Sequence, residues 1–185
     1  VDKLLVCPNG AQHRDYHFTE KPLKPSWTLY LGRIEPRKRQ YLYQDIYGVE
    51  FVGKYTDTTS FDRNRDCYLG QWEHEYKLQH VTDYGNMMLL SDGENGTPLV
   101  IKEALVAGLG VVVSKYAAHD LDTSLPFVTV IPDDKWEDIE YVQEKLIENR
   151  KISVTMRKEI RQYGIDNFSW QKLVKTYVEN IEGME

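Results

Sequence analysis

The sequence has little cysteine and no long hydrophobic run. Its two cysteines, Cys7 and Cys67, form no disulfide framework and lack the spacing of a metal site, so we expect two free thiols in a reducing compartment. The longest nearly apolar stretch, residues 105–113, contains two glycines and is too short to cross a bilayer. The sequence therefore predicts neither a disulfide-stabilised scaffold nor a transmembrane helix.

Basic residues are not in excess either. The chain has 23 Lys and Arg against 29 Asp and Glu, a formal net charge of −6. This argues against a general nucleic-acid-binding protein, because phosphate neutralisation needs a basic surface. The 41% hydrophobic and 28% charged content excludes disordered and fibrous classes. The 185 residues fit one domain. Because the chain begins at Val1 and not at Met, we expect it to be part of a longer polypeptide.

Short apolar runs alternate with helix-like stretches over the first two thirds of the chain. Strands are predicted at residues 4–7, 28–31, 49–52, 67–69, 87–90, 111–113 and 127–131. Helices are predicted near residues 39–46, 75–82 and 98–107. Several strands are continuously apolar, as in sheets covered on both faces. The alternation therefore predicts an α/β fold with a Rossmann-like, doubly wound parallel sheet and helices on both faces.

After Pro132 the pattern is helical only, which predicts a C-terminal helical extension over residues 133–185. A first helix follows the cap candidates Asp133 and Asp134, a second covers residues 153–163 and stops at Gly164, and a third begins after Ser169. The third helix carries an apolar stripe that we expect to pack against the sheet as core. The stripe consists of Leu173, Val174, Tyr177, Val178 and Ile181.

One segment that could form a binding or catalytic site is the basic loop at residues 31–39, which follows a predicted strand. Four of the seven residues from Arg33 to Arg39 are cationic in an otherwise acidic chain. Open α/β sheets bind ligands at the carboxyl ends of their strands, and Arg and Lys both bind phosphate. The loop is therefore a candidate anion site. A solvated basic turn explains the same residues.

The second segment is the polar loop and helix at residues 91–108. Thr97 is the candidate cap and Pro98 the first helical position. Free amides at Thr97, Leu99 and Val100, with the helix dipole, favour a bound phosphate. Glu103, further along the helix, could accept hydrogen bonds from ribose hydroxyls. An ordinary strand–loop–helix corner with a surface glutamate explains this pattern equally well.

Six motifs in register resemble the C-terminal half of retaining glycosyltransferases of the GT-B fold, the large family 4 or "glycosyl transferases group 1". Residues 6–10 resemble its "vipNG" strand, residues 30–38 its "vGRl…K" loop, and residues 51–53 its "vG" turn. Residues 68–70 resemble "flG", residues 96–108 "G.p…lEAma.G", and residues 168–170 "fsW". The resemblance covers nearly the whole chain.

The resemblance implies a nucleotide-sugar donor site. The reaction would be hexosyl transfer with retention from a UDP- or GDP-sugar, in carbohydrate biosynthesis, without a metal or another cofactor. The implied roles are these: Arg33 and Lys38 bind the diphosphate and act in catalysis; Thr97, Pro98, Leu99 and Val100 contact the same phosphates; Glu103 binds the ribose; Glu94, Asn95 and Gly96 contact the donor sugar.

The resemblance also implies a missing N-terminal domain, which would hold most of the acceptor site. Residues 1–10 would be the strand that leads in from that domain, and the isolated chain would be inactive. The acceptor is a glycan, a lipid or a protein, and the sequence does not say which. We expect a cytoplasmic protein, with any membrane association supplied by the missing domain.

Two positions depart from the family pattern, and other interpretations stay open. Asn95 stands where the family has an acid, and Arg39 stands where it has a glycine. The alternative function is a noncatalytic nucleotide-sugar-binding or scaffold module with a degenerate site; another GT-B enzyme, an epimerase or phosphorylase, fits the motifs less well. Residues 120–122 match a metal-binding D-x-D pattern in the wrong context, and His74 between two glutamates reads as a solvated charge run.

Overall fold

A parallel sheet organises the chain. The structure is a computed structural model that describes residues 7–56 and 60–183. Within those residues the strands are β1 (Lys24–Leu31), β2 (Val49–Val52), β3 (Tyr84–Leu89), β4 (Gly110–Ser114) and β5 (Val128–Ile131). Their order is β2-β1-β3-β4-β5, and every pairing is parallel. The α/β, Rossmann-like layout expected from the alternating pattern is confirmed.

The predicted strand at residues 67–69 is a single bridge beside β2. Phe51 pairs with Tyr68 in parallel, and the Leu69 amide donates to the Phe51 carbonyl at 2.9 Å. With this segment at the edge, the order reverses direction between β1 and β3, which is the switch point of a doubly wound sheet. Of the predicted strand at residues 4–7, all but Cys7 lies outside the described residues, and Cys7 is not in a strand.

Helices cover the sheet. In the described ranges they are α1 (His74–His80), α2 (Leu99–Val106), α3 (Ile139–Thr155), α4 (Arg157–Phe168) and α5 (Trp170–Glu182). Short 3-10 turns span Pro36–Lys38, Gln40–Tyr43 and Val81–Asp83. Helix α3 packs across β1, β3, β4 and β5, while α2 packs on β3, β4 and α4. None of the helices in this part of the chain is both long and apolar enough to cross a bilayer.

The boundaries of α3 and α4 differ from the sequence prediction. Helix α3 begins at Ile139 because Asp138, not Asp133 or Asp134, is its N-cap, with its carboxylate accepting from the Tyr141 amide at 3.1 Å. Helix α4 passes through Gly164, where a side chain would lie within 2.7 Å of the backbone of α2. That glycine permits close helix packing and does not end the helix.

The helix predicted at residues 39–46 is replaced by 3-10 turns on either side of Arg39. This residue has φ 56° and ψ 19°, which is the left-handed region that a regular right-handed helix cannot include. The chain therefore turns at Arg39 instead of continuing as an α-helix.

The prediction that the apolar stripe of α5 is core was wrong. Ser169 does cap the helix, accepting from the Lys172 amide at 3.3 Å. However, no α5 residue is buried, and Val174, Val178 and Ile181 are 48%, 43% and 45% exposed. The reason is that α5 packs on α4, which itself lies over α2, so α5 forms an outer layer away from the sheet.

A buried arginine fixes the amino end of the sheet. Arg157, the first residue of α4, is 2% exposed. Its guanidinium donates to the carbonyls of Thr19, Thr82 and Tyr84 at 2.7, 2.6 and 3.0 Å. Burial lowers the pKa of Arg157 to about 10, so the group remains charged at neutral pH. Backbone carbonyls thus satisfy this cation and tie α4 to the start of β3.

Candidate functional site

Two loops meet at the carboxyl edge of the sheet, beyond the ends of β1 and β3. The Asp92 amide, after β3, donates to the Arg37 carbonyl, after β1, at 2.8 Å. The Tyr30 hydroxyl, on β1, accepts from the Leu90 amide at 3.1 Å and donates to the Lys38 carbonyl. The basic loop and the polar loop therefore form one crevice at the switch point, where ligands bind in sheets of this kind.

Arg39 shapes the basic loop. Among the described residues it is the only one other than glycine with positive φ, a conformation that glycine adopts without steric cost. Its guanidinium lies 4.0 Å from the centre of the Trp136 ring and its Nη2 is 3.6 Å from Asp92 Oδ2. These contacts hold the backbone in the turn that brings Lys38, the preceding residue, into the crevice.

Lys38 is paired inside the protein. The residue is buried, and its ammonium lies 2.9 Å from Glu94 Oε1. Arg37 Nη1 approaches the same oxygen at 3.5 Å. Burial raises the pKa of Glu94, but the hydrogen bond and charge of Lys38, with help from Ser91 and Arg37, outweigh it and the net pKa is lowered. Glu94 is thus an ionised carboxylate among the cations of the basic loop.

Arg33 is the most open cation of this loop. Its side chain is 63% exposed, and its Nη1 is 3.7 Å from Glu35 Oε2. An exposed ion pair at that distance is weak, so the guanidinium is available to another anion. Arg33 and Lys38 therefore differ: the first is accessible, and the second must exchange its partner before it can bind a ligand.

The amino end of α2 differs from the prediction. Pro98 is the N-cap and the helix begins at Leu99. Thr97 does not cap the helix because its side chain and amide both bind Asp120: the Asp120 amide donates to Thr97 Oγ1 at 2.9 Å, and the Thr97 amide donates to Asp120 Oδ2 at 3.3 Å. No acceptor for the Leu99 or Val100 amide lies in the described part of the chain. Two of the three predicted amides are therefore open.

The residues predicted to contact the donor sugar line a polar cavity beside this helix. Glu94, Asn95 and Gly96 border a space of about 520 Å³, together with Thr97, Lys102 and Asp120. The Lys102 ammonium lies 3.3 Å from Asp120 Oδ2 and donates to the Asn9 carbonyl at 3.1 Å. Burial raises the pKa of Asp120, but hydrogen bonds from His119, Thr97 and Lys102 give a net lowering. Asn95 is exposed.

Lys102 and Asp120 also line this cavity, and sequence reasoning missed both as candidate site residues. In the sequence, Asp120 stands out only as part of a metal-binding pattern. In the structure it is hydrogen-bonded to Thr97 and paired with Lys102. Asp122, the second acid of that pattern, instead accepts from the Ser124 amide at 3.0 Å. Across residues 7–56 and 60–183, no group of three or more His, Cys, Asp and Glu side chains is arranged to hold a metal ion.

Glu103 lies one helical turn after Leu99 and is 6% exposed. Its Oε1 is 2.8 Å from the Lys77 ammonium of α1, whereas its Oε2 is buried without a hydrogen-bond partner. The Tyr16 hydroxyl is also buried and has no partner within normal hydrogen-bond geometry; it nevertheless lies close to Glu103, because burial, the charge of Glu103 and a hydrogen-bonding contact with that carboxylate raise its pKa. A buried acceptor without a donor is costly, so Glu103 Oε2 is free to accept a hydrogen bond from a ligand hydroxyl.

The comparisons with known proteins show the fold. No family model and no curated protein sequence matches the chain. Solved structures do match: HepE from Anabaena in complex with UDP-glucose, 14% identical over 85% of this chain and 49% of that chain, has a TM-score of 0.61. Sucrose-phosphate synthase from Thermosynechococcus elongatus is 15% identical over 96% and 52%, with a TM-score of 0.69.

A third match is the lipopolysaccharide outer core galactosyltransferase WaaB, 16% identical over 97% of this chain and 56% of that chain, with a TM-score of 0.68. The chain therefore spans about half the length of the solved structures it matches. Its fold is shared with about half of each of these solved structures, in agreement with the GT-B fold that the sequence motifs implied.

Proposed function

We propose that the chain binds the nucleotide-diphosphate sugar of a retaining, hexosyl-transferring glycosyltransferase. The observation that carries this proposal is the meeting of the Lys38 loop with the polar loop that leads into α2, at the switch point of the sheet. The Leu99 and Val100 amides at the start of α2 are open. A neighbour with the same fold, HepE, has been solved with UDP-glucose. UDP is therefore the first nucleotide to test, with GDP as the second.

The diphosphate would bind between Arg33, Lys38 and the amides of Leu99 and Val100. These groups supply cations and oriented N–H donors, which suit phosphate oxygens. When the hexosyl C–O bond to the diphosphate breaks, negative charge grows on the leaving group, and prepositioned donors stabilise that charge without a metal. The Lys38 ammonium is paired with the Glu94 carboxylate in this structure. Donor binding would therefore replace that carboxylate with a phosphate of the donor at the Lys38 ammonium.

Release of Glu94 would place a carboxylate where the donor sugar needs one. Glu94 lines the same polar cavity as Asn95 and Gly96. Asn95 has no charge and can only hydrogen-bond sugar hydroxyls, while a freed Glu94 can accept from them as an anion. On this proposal Asn95 does not end the site's function, because the neighbouring acid takes the role.

The ribose would bind to Glu103. Its Oε1 holds Lys77, while Oε2 is buried without a partner. A ribose hydroxyl donating to Oε2 would satisfy that oxygen, and the net gain is larger for a charged acceptor than for a neutral one. The unpartnered Tyr16 hydroxyl lies against the same carboxylate and is a second candidate contact.

The acceptor would be held mainly by a second domain outside the chain, so the chain alone would bind donor and transfer little. The length comparison supports this proposal, since the chain covers only about half of the matched structures. The acceptor would be a glycan, lipid or protein hydroxyl. The two free cysteines suit a cytoplasmic enzyme of carbohydrate biosynthesis.

A noncatalytic nucleotide-sugar-binding module is the second candidate, favoured by the exposed, uncharged Asn95. Both candidates bind the nucleotide, and only the first transfers sugar when the second domain is supplied. Turnover by the chain joined to that domain separates them.

The test is a calorimetric titration with UDP, GDP and ADP at low and moderate salt. One nucleotide should bind selectively and more weakly at higher salt, because the contacts are ionic. Lys38→Ala and Glu103→Ala should each weaken binding by about tenfold or more. Lys145→Ala and Glu148→Ala, which break a surface pair on α3, are the matched controls. Unchanged binding in both site variants would overturn the site assignment.

A further inference from the structure

A second cavity, which we call the aromatic pocket, opens beside α1. It has a volume of about 500 Å³ and is lined by the rings of Trp72, Tyr76 and Tyr84 together with Lys24, Gln71 and Glu73. Lys24 and Tyr84 are the first residues of β1 and β3. The pocket therefore borders the amino ends of strands whose carboxyl ends carry the nucleotide site. At about 3.3 Å per residue, the eight residues of β1 separate the two by roughly 20 Å.

The pocket exists because α1 is too short to cover the sheet. The helix has seven residues, none of them buried. Aromatic rings take its place: Trp72 and Tyr76 meet at 5.2 Å between centroids and 67° between planes, and Trp72 lies 6.2 Å from Tyr84. Tyr76 is 50% exposed. The result is a partly exposed aromatic surface in a concave site, the usual setting of a small-ligand pocket.

The floor of the pocket is rigid and internally neutralised. The Lys24 ammonium lies 2.6 Å from the carboxylate of the buried Glu50, and the Tyr84 hydroxyl donates to the same carboxylate. The ammonium also lies 5.0 Å from the centre of the Tyr84 ring. A cation thus already occupies the aromatic face at the floor, and its charge is balanced by Glu50.

The rim, in contrast, has free hydrogen-bonding groups. The Trp72 indole N–H, the Gln71 amide and the Glu73 carboxylate have no hydrogen-bond or ion-pair partner within residues 7–56 and 60–183. They provide both donors and acceptors beside an aromatic surface. A ligand that matches them has an apolar face and a polar edge that donates and accepts.

We infer that the aromatic pocket binds a hexose ring of a neutral oligosaccharide. A pyranose has an apolar C–H face, which packs on aromatic rings, and a rim of hydroxyls, which would bind Glu73, Gln71 and the Trp72 indole.

The charges at the floor are engaged inside the protein, Lys24 by Glu50 and Asp83 by His80, so they do not select an ionic ligand. The unpaired Glu73 at the rim repels an anion and accepts hydrogen bonds from hydroxyls, which a neutral sugar supplies. This site does not depend on the nucleotide site.

The test is nuclear magnetic resonance of the ¹⁵N-labelled chain titrated with an array of neutral hexose oligosaccharides, including maltotriose and cellotriose. The chain has four tryptophans, so the indole signals are few, and Trp72→Phe identifies the signal of Trp72. At least one oligosaccharide should shift that signal in a saturable way. If no oligosaccharide of the array shifts it, the inference is overturned.

Matched variants locate the binding. Tyr76→Ala should weaken oligosaccharide binding by about tenfold, since the loss of one aromatic contact has an effect of that order. Tyr47→Ala, which removes another exposed tyrosine outside the pocket, should leave it unchanged, as should Lys38→Ala. Equal loss in Tyr76→Ala and Tyr47→Ala, or loss in Lys38→Ala, would contradict a site in this pocket.

Charged probes test the preference for a neutral ligand. Choline and acetate should not shift the Trp72 signal. Saturable binding of either one in preference to every sugar would contradict the inferred sugar site.

Discussion

The two ends of the sheet bury charge in different ways. At the amino end, Arg157 is 2% exposed and donates to three backbone carbonyls and the Thr82 hydroxyl, so a ligand has little access to it. At the carboxyl end, Lys38 and Glu103 bind side chains that can move, Glu94 and Lys77, and one oxygen of Glu103 has no partner. Burial of a charge is therefore no sign of a binding site by itself. The better indicator of a binding site is a buried charge whose partner can be exchanged, or one that has an atom without a hydrogen-bond partner.

This comparison predicts that loss of the amino-end arginine has a large cost in stability. Arg157→Met should destabilise the fold by about 3 kcal/mol or more, because three backbone carbonyls, two of them in buried hydrogen bonds, lose their donor. Urea unfolding, followed by far-ultraviolet circular dichroism, measures the change. Arg65→Met, which removes an exposed arginine paired with Asp45, is the control and should leave the midpoint unchanged. A small effect of Arg157→Met would mean that the amino end has no structural clamp.

The strands were predictable because burial on both faces leaves a direct mark in the sequence. The apolar run at residues 49–52 coincides with β2, and β4 is within one residue at each end of its prediction. The family resemblance also implied that the two loops serve one site, since it assigns both to the same diphosphate. The strands needed only local pattern, whereas the shared site needed the resemblance.

The partners within the site were not predictable, because they depend on side chains that the fold brings together from distant parts of the chain. Lys77 and Glu103 are 26 positions apart, and Thr97 and Asp120 are 23 apart. The acidic and basic residues of α1 look like a solvated face in the sequence. The exposure of α5 was missed for a related reason: periodicity identifies an apolar stripe and does not say what covers it.

The Lys38–Glu94 pair should be weak and dependent on pH, unlike the Arg157 clamp. The folded-state pKa of Glu94 is lowered, so its stabilising effect is complete above the unfolded-state pKa and is lost as pH falls through the folded-state value. Glu94→Gln should therefore cost about 1 kcal/mol near neutral pH and less in acid.

Urea unfolding of wild type and Glu94→Gln between about pH 7 and about pH 3 measures this difference. Glu148→Gln, which alters the surface pair with Lys145, is the control for a general effect of removing a carboxylate. A difference that grows as the pH falls would contradict the sign of the Glu94 shift. It would also mean that the pair is not the exchangeable contact on which donor binding at Lys38 depends.

Substitution of Arg39, at the carboxyl end of the sheet, should have the smallest effect on stability, in contrast to substitution of Arg157 at the amino end. Arg39→Gly removes the contact with Trp136, which is worth about 0.5–1 kcal/mol, but relieves a left-handed conformation that costs a residue with a side chain about 1 kcal/mol. The two changes offset, so the free energy of unfolding should change by less than about 0.5 kcal/mol. Arg39→Ala loses the contact and keeps the strain, and should be less stable than Arg39→Gly by about 1 kcal/mol. Urea unfolding of both variants measures the order. If alanine is as stable as glycine, the conformation of Arg39 does not constrain the loop, and the position of Lys38 depends on Tyr30 and Glu94 alone.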